Sequence, residues 1–297
     1  MPKIYDNIEN QLSNGLADTL KVSKRSDFCV GYFNLRGWHE VADSIDSLVG
    51  MPVTEKVDFN IRAGNTLVGY ATKKQIDTIA GLFVTEAHKK KILEQCDIVA
   101  RAFARYKEIQ LSGGDDYDGF KKAKDDLNER LKKLTNDLDG ILYIEQYKGF
   151  NLEEKEYRTW LATHQPFHWF AEFYEIIAGK GGFDVVIGNQ PYVELKKLNY
   201  KLLQYKTFEC GNLYAPVIER YLSFLKNSSK SGMIIPHSSI CTDRMSNLIA
   251  ILKKQGLWLS SYDIRPSKLF DGVDQRLLIY ISTVRLGFCM LYGIKKL

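Results

Sequence analysis

The stretch GGFDVVIGNQPYVEL, residues 181–195, gives the clearest indication of the fold in this sequence. A glycine pair leads into a mostly apolar run at 183–188, which predicts a buried strand. Four residues of a different kind follow it: Asn189, Gln190, Pro191 and Tyr192. An amide, a proline and a phenol ring at a strand end do not make an ordinary turn. They suit a site that holds a flat, hydrogen-bonding ring.

Strands and helices alternate through the rest of this half, residues 181–297. The patterns predict strands at 183–188, 232–235, 258–264 and 276–282, with helices at 212–226 and 244–254. Such alternation predicts a doubly wound α/β sheet. Ligands of open α/β sheets bind outside the carboxyl ends of the strands, which is where Asn189 stands.

A helical arm over residues 73–180 precedes that half. Apolar residues recur at three- and four-residue spacing over 76–106 and at heptad-like spacing over 120–138, and SGGDDYDG at 112–119 separates the two runs. This pattern predicts a long helical hairpin inserted into the core. Before it, residues 57–72 read as a strand ending in a Gly64-Asn65 turn, and residues 1–56 as a small α/β segment.

The tetrapeptide at 189–192 suits chemistry on an exocyclic amine. The side chain of Asn189 and the backbone carbonyl of Gln190 offer two hydrogen-bond acceptors, and Pro191 helps to hold that peptide extended. The ring of Tyr192 offers a stacking face, worth roughly 1–3 kcal/mol per base. Two acceptors return electron density to the amine nitrogen and stabilise the positive charge that develops on it. A base in duplex DNA must first leave the stack, at a cost of a few kcal/mol.

FDVVIGNQPYVEL resembles the catalytic motif of adenine-specific DNA methyltransferases, whose usual form is Asn-Pro-Pro-Tyr after an apolar strand. Further segments resemble the large methylases of fused type II restriction–modification enzymes: FNIRAGNTLVG (59–69), GNLYAPVIERYLSFLK (211–226), SGMIIPHSSI (231–240) and FDGVDQRLLIYIS (270–282). The resemblance implies a Rossmann-like methyltransferase core, S-adenosylmethionine as cofactor, double-stranded DNA as substrate, and other restriction–modification or defence subunits as partners. It assigns catalysis to Asn189, Gln190, Pro191 and Tyr192, and cofactor contacts to Asn65 and Gly188.

Two features depart from that family's pattern. Gln190 replaces the first proline of the motif, so the backbone acceptor is less rigidly placed. The Gly-rich loop for the methionine part of the cofactor is not found, since Gly179-Lys180-Gly181 precedes a strand and a cofactor loop follows one. The core is therefore expected to be incomplete. Residues 26–50 resemble the start of a phospholipase D-like domain, so residues 1–56 are either such a fragment or an unrecognised half of the cofactor site.

The stretch VELKKLNYKLLQYK, residues 193–206, interleaves basic and aromatic side chains. Lys196, Lys197, Lys201 and Tyr205 are predicted to contact DNA phosphates beside the extruded base, and a solvated helix face is the alternative. Asp139 with Glu153-Glu154-Lys155 imitates a restriction-nuclease pattern without its preceding Pro-Asp. The spacing of His164 and His168 favours aromatic packing over metal binding, and no metal site is predicted.

Composition limits the remaining possibilities. The 297 residues carry a net charge of +5 and are 45% apolar, which predicts a globular protein whose charge permits a polyanion but does not require one. No run approaches the roughly 18 apolar residues of a membrane span, and no signal core is visible, so a cytoplasmic location is expected. The sequence favours an S-adenosylmethionine-dependent adenine-specific DNA methyltransferase. The alternatives are a catalytically impaired, rearranged or truncated remnant of one, acting at most as a DNA-binding module, and a nuclease-associated DNA-binding module.

Overall fold

The computed structural model describes residues 62–79, 84–111, 117–147, 154–202, 205–265, 268–270 and 273–284. The helices are α1 (Lys73–Asp77), α2 (Glu86–Leu111), α3 (Tyr117–Tyr147), α4 (Glu154–His164), α5 (Trp169–Glu172), α6 (Tyr214–Leu222) and α7 (Ser246–Leu252). The strands are β1 (Phe183–Asn189), β2 (Leu225–Pro236), β3 (Gly256–Tyr262) and β4 (Leu277–Thr283). A π-helical turn spans Glu175–Gly179, and 3-10 turns span Leu195–Lys197, Phe208–Cys210, His237–Ile240 and Asp243–Met245.

The chain divides into two units, Met1–Arg62 and Ala63–Leu297, and the features below belong to the second unit. The predictions for residues 1–56, including the phospholipase D-like fragment, lie outside the described residues, as does the strand predicted before residue 62. None of the described helices is both long enough and apolar enough to cross a membrane.

Helices α2 and α3 form the predicted hairpin and pack against each other. The apolar positions that recur in the sequence supply the buried face: Ile92, Cys96, Val99, Tyr106, Leu127, Leu131, Leu134 and Leu138. Residues at these spacings share one side of a helix, so two such faces bury each other. Near the connection, the ring centroids of Tyr106 and Phe120 lie 5.1 Å apart. The helical-hairpin prediction is confirmed.

The four strands form one sheet in the order β1-β2-β4-β3. β1 and β2 run parallel, and α6 provides the crossover that a parallel pair requires. β4 runs antiparallel to both of its neighbours. The α/β prediction is confirmed, and the described sheet is mixed rather than wholly parallel. The carboxyl ends of β1 and β2 meet at one edge, where Asn189 is paired with Ile234.

An aromatic cluster anchors the start of β1. Trp169 of α5 stacks on Phe224 with ring centroids 4.7 Å apart, and Phe183 meets Phe224 at 5.5 Å. Burying an aromatic ring of this size contributes roughly 1.5–3 kcal/mol. Gly182 has a φ of +123°, and a Cβ there would lie 2.4 Å from the Phe224 carbonyl oxygen. The second glycine of the opening motif therefore allows the strand to enter beside this cluster.

Most predicted elements differ by a few residues at their ends, such as the helix predicted at 212–226, which spans Tyr214–Leu222, and two predictions differ more widely. β2 begins at Leu225 rather than near residue 232, because the polar segment 226–230 continues the strand through an irregular register with β1. The described residues of the segment 193–206 do not form an α-helix: they include the 3-10 turn Leu195–Lys197, which extended backbone at Leu198 ends. Pairing partners and packing, which local sequence does not report, decide both boundaries.

Candidate functional site

Asn189 is the last residue of β1 and its side chain is exposed. Backbone pairing with Ile234 of β2 fixes its position, and Val186, three residues earlier, is buried. The strand thus holds the amide firmly while leaving it open to solvent. This is the position predicted from the sequence, at the carboxyl edge of the parallel pair.

The phenol of Tyr192 turns back onto Asn189. Its hydroxyl donates to Asn189 Oδ1 at 3.0 Å and to the Ile234 carbonyl at 3.3 Å. Burial raises the pKa of Tyr192 to about 12, so the hydroxyl stays protonated and remains a donor at neutral pH. The ring of Tyr214, the first residue of α6, lies edge-on to Tyr192 with centroids 6.5 Å apart. The structure therefore brings Asn189 and Tyr192 into direct contact.

Gln190 and Gly188 share the other side of the strand end. Gln190 Nε2 lies 3.8 Å from Met233 Sδ, a weak contact, and a Cβ at position 188 would come within 2.6 Å of that nitrogen. Gly188 thus makes room for the side chain that replaces the motif's first proline. Pro191 is exposed. In the described part of the chain no backbone N–H donates to the Gln190 carbonyl, which leaves this second predicted acceptor available.

Asn65 lies in a separate turn whose polar groups are engaged internally. Its Oδ1 accepts from the Leu67 N–H at 3.1 Å, and its own N–H donates to the Gln165 carbonyl at 2.8 Å. Burial raises the pKa of the Tyr200 hydroxyl, and the nearby Asn65 side chain partly offsets that rise. Among the described residues, no hydrogen bond or ring contact connects Asn65 with the tetrapeptide. The cofactor roles of Asn65 and Gly188 stay predictions.

The three lysines predicted to contact phosphates are exposed. Lys196 forms an ion pair with Glu194 at 3.1 Å, and the nearby ammonium holds the pKa of that carboxyl below its ordinary value. Lys197 follows in the same 3-10 turn. The backbone N–H of Lys201 donates to His164 Nε2 at 3.3 Å, which ties the segment to α4. DNA contact by these side chains stays a prediction.

Tyr205, the fourth residue predicted to contact DNA, is engaged inside the protein. Its hydroxyl donates to the Leu67 carbonyl at 2.8 Å, and the guanidinium of Arg220 lies 5.3 Å from its ring centroid. Desolvation raises its pKa to about 12, so the hydroxyl remains protonated at neutral pH. The structure gives Tyr205 a role in holding the Asn65 turn, and its contact with DNA stays a prediction.

The two histidines point to different partners. His168 accepts from the Tyr70 N–H through Nδ1 at 3.1 Å and meets Asp139 Oδ1 through Nε2 at 2.9 Å. His164 lies against Trp160, with ring centroids 5.2 Å apart. The residues the structure describes contain no group of three or more His, Cys, Asp or Glu side chains that could hold a metal ion.

The acids of the nuclease-like pattern that the structure describes, Asp139 and Glu154, have different partners. Asp139 is occupied by His168, while Glu154 begins α4 and pairs with Arg158 one helical turn later. Those two acids therefore have separate structural partners. Glu153 lies outside the described residues.

Sequence reasoning missed Arg220 on α6. Only 6% exposed, it donates through Nη2 to the Leu67 carbonyl at 2.8 Å. It also helps to line a cavity of about 110 Å³ with Glu145, Lys201 and Glu219. The segment GNLYAPVIERYLSFLK carries no local signal for this role, because an arginine on an amphipathic helix reads as a solvated residue.

Comparison with known proteins places this geometry in a family context. Residues 62–270 match the family described as Eco57I restriction-modification methylase, and this range contains both the Asn65 turn and the tetrapeptide. A protein of Methanocaldococcus jannaschii, RM.MjaORFECS2P, is described by its name as a type II restriction enzyme and methyltransferase. It is 25% identical over 264 residues, covering 75% of this chain and 22% of that protein. The chain thus spans about a fifth of that relative's length.

One solved structure shows a more limited likeness. It is a Listeria monocytogenes protein described as a class I S-adenosylmethionine-dependent methyltransferase, 12% identical, with a TM-score of 0.28. The likeness covers 38% of this chain and 35% of that protein, and it is too limited to carry a conclusion about fold or function.

Proposed function

We propose, from the premise that this chain belongs to the Eco57I restriction-modification methylase family, that it methylates the exocyclic amino group of an adenine in double-stranded DNA. Membership of a methylase family makes S-adenosylmethionine the cofactor expected of the chain. Beyond the family assignment, we propose that the methylated base is adenine and that it is extruded from the duplex. We also propose that the enzyme is of the fused type II kind.

The tetrapeptide supplies the chemistry at the base. Asn189 Oδ1 accepts one hydrogen of the amine, and the backbone carbonyl of Gln190 accepts the other. Tyr192 stacks on the ring, and its hydroxyl uses one of the two lone pairs of Asn189 Oδ1, which leaves the other for the amine. Both acceptors stabilise the positive charge that develops on the amine nitrogen.

The described residues fit one end of the cofactor only. The Asn65 side chain and the Tyr200 hydroxyl come together at the turn, which suits hydrogen bonds to an adenine ring. No strand followed by a Gly-rich turn is present in the described segments, and Gly182 is closed off by the Phe224 carbonyl. Contacts to the methionine part are therefore not supplied there. When bound, S-adenosylmethionine provides an electrophilic methyl group.

The observation that carries the proposal is the exposed amide of Asn189, fixed at the strand end beside the protonated Tyr192 phenol and the Gln190 carbonyl. The exposed side chains of Lys196, Lys197 and Lys201 support DNA as the substrate, because phosphate contacts dominate binding to nucleic acid. They follow the tetrapeptide directly in the chain, so they suit the strand from which the base is extruded.

Mass spectrometry of nucleosides tests the proposal without knowledge of the recognition sequence. The full chain is expressed in cells that lack adenine methylation, and their DNA is hydrolysed. We expect N6-methyladenine with the wild-type chain and none with Asn189→Ala. Methylated cytosine instead would overturn the assignment of adenine and leave methyl transfer in place.

The remnant alternative predicts no modified base in the same experiment but measurable DNA affinity. The family match across the tetrapeptide and its flanking elements does not favour it. An unmodified genome at full expression of a folded chain would nevertheless overturn the proposed activity.

A further inference from the structure

Arg220 is the one Lys or Arg side chain that is buried among the residues the structure describes. Its hydrogen bonds go to neutral oxygens: Nη2 reaches the Leu67 carbonyl at 2.8 Å, and Nη1 reaches Gln75 Oε1 at 3.4 Å. Its Nε is buried without an acceptor in the described part of the chain. A buried cation held by neutral partners is expensive, so stability alone does not account for this arrangement.

The Leu67 carbonyl receives a second donor from the same side of the protein. The Tyr205 hydroxyl reaches it at 2.8 Å, and the Tyr205 ring lies beneath the Arg220 guanidinium. A carbonyl oxygen has two lone pairs, and this one uses both. Because one donor is charged, the pair holds the carbonyl more strongly than two neutral donors would.

The backbone N–H and carbonyl of Leu67 are both held by hydrogen bonds, which fixes the middle of the Asn65 turn. The Leu67 N–H is held by Asn65 Oδ1 at 3.1 Å, while its carbonyl is held by Arg220 and Tyr205. Gln75 extends the network, since its Oε1 accepts from the Ala71 N–H at 2.7 Å. Loss of Arg220 therefore loosens the middle of the turn that carries Asn65.

Helix α6 joins this point to the base site. Its first residue, Tyr214, touches the Tyr192 ring, and Arg220 lies six residues later, about 9 Å along the helix axis. One rigid element thus contacts both the tetrapeptide and the Asn65 turn. Placement matters in such a site, because a displacement of about 1 Å between reacting groups can cost about 100-fold in rate.

We infer that Arg220, assisted by Tyr205, is a positioning residue that holds the Asn65 turn in the geometry required to bind the adenine end of the cofactor. The inference rests on the proposed function. It assigns to α6 the task of setting the turn relative to the tetrapeptide, and it gives Tyr205 a role on the cofactor side of the site.

The test compares cofactor binding with local and global stability in the full chain. S-adenosylhomocysteine is titrated at millimolar concentrations into wild type, Arg220→Lys, Arg220→Leu and Tyr205→Phe, with ligand-observed NMR as the readout. We expect the dissociation constant to rise about tenfold in Arg220→Leu and about threefold in Tyr205→Phe, with partial recovery in Arg220→Lys. Amide exchange of residues 65–71 should accelerate in the same order.

Val217→Ala serves as the matched control, because Val217 is buried on α6 and donates no side-chain hydrogen bond to the turn. It should lower the melting temperature while leaving S-adenosylhomocysteine affinity and exchange at 65–71 unchanged. If Val217→Ala weakens binding as much as Arg220→Leu, the positioning role is overturned. Tyr205→Phe and Arg220→Lys keep the test decisive if Arg220→Leu fails to fold.

The remaining outcomes separate this inference from the proposed function. If the Arg220 and Tyr205 variants bind S-adenosylhomocysteine with the wild-type dissociation constant, the positioning role is overturned. The proposed methyl transfer is unaffected by that outcome. No binding to the wild-type chain, together with N6-methyladenine in cellular DNA, would also overturn the role but not the activity. Absence of both would overturn the two together.

Discussion

The tetrapeptide 189–192 and the turn 64–71 differ in whether their polar groups are exposed or already hydrogen-bonded. Asn189 is exposed, and the Gln190 carbonyl accepts no backbone hydrogen bond in the described part of the chain. In the turn, Asn65 Oδ1 and the Leu67 carbonyl are already occupied by the Leu67 N–H and by Arg220 with Tyr205. Both segments lie within the same family match.

Polar groups that stay open to a substrate are thus distinct from those that hold the backbone in place. A polar group at a strand end can stay open, because backbone pairing has already fixed the residue that bears it. A turn lacks the backbone hydrogen-bond ladder of a sheet, so side chains supply the hydrogen bonds that hold it. Polar atoms of the turn are occupied by those hydrogen bonds. We therefore expect substitutions in the tetrapeptide to change methyl transfer with little effect on stability, and substitutions around the turn to change stability and cofactor affinity.

The largest expected effect is on activity at position 189. Asn189→Ala removes an amine acceptor, and we expect methyl transfer to fall by more than about 100-fold, as when a charge-stabilising group is removed from an active site. Because the side chain is exposed, the free energy of unfolding should change by less than about 0.5 kcal/mol. Methylation assays and urea denaturation measure the two quantities.

Asn247→Ala is the control for that substitution. Asn247 is exposed, and its amide donates to the Lys206 carbonyl at 2.9 Å. It should leave methyl transfer unchanged. If Asn189→Ala retained wild-type transfer rates, the assignment of the amine acceptor would be wrong.

Tyr192 tests whether the ring or the hydroxyl matters. Tyr192→Ala should lose about 10- to 100-fold in activity, because it removes the stacking face as well as the hydroxyl. Tyr192→Phe keeps the ring and loses the hydrogen bonds to Asn189 Oδ1 and the Ile234 carbonyl. We expect it to retain much of the activity. Equal losses would indicate a chemical role for the phenol.

A substitution at His168 tests the opposite side of the comparison. His168→Leu leaves the Tyr70 N–H and the Asp139 carboxylate without their partner, and each is at least largely buried. We expect the free energy of unfolding to fall by about 3 kcal/mol. His88→Leu, at an exposed site on α2, should cost less than about 1 kcal/mol. Comparable losses in both variants would contradict the structural role of His168.

Alkaline pH probes both regions through their tyrosines. Burial raises the pKa values of Tyr192, Tyr205 and Tyr214 to about 12 each, above the ordinary value of 10.0. The folded state therefore disfavours their ionised form, and their contribution to stability is complete below pH 10. It is lost as pH rises from 10 through about 12. Denaturation curves at stepped pH should show this window, and tyrosinate absorbance rising fully near pH 10 in the native protein would contradict it.

The smallest expected effect comes from restoring proline at position 190. Gln190→Pro stiffens the backbone acceptor but supplies nothing to the methionine part of the cofactor, so methyl transfer should not rise. For the same reason we expect the isolated chain to bind S-adenosylmethionine only at millimolar levels or worse, about −4 kcal/mol. Calorimetry measures this affinity. A micromolar dissociation constant would mean that residues 1–60 contribute a cofactor site.

Sequence alone located Asn189 and the buried faces of α2 and α3, because strand ends and helical periodicity are local properties. It did not predict that β2 begins at Leu225, since the polar residues after it read as a loop. It also missed Arg220, whose partner Leu67 lies 153 positions away. Contacts of that range depend on tertiary packing, which no local pattern reports.

The insertion of the arm has a consequence for how the chain folds. Tyr70 bonds to His168 across 98 positions, and α2 and α3 occupy most of the interval. Closing so long a flexible loop is entropically costly, whereas a helical hairpin forms through nearer contacts and brings its ends together. We therefore expect the helical hairpin to form before the segments that carry Tyr70 and His168 meet.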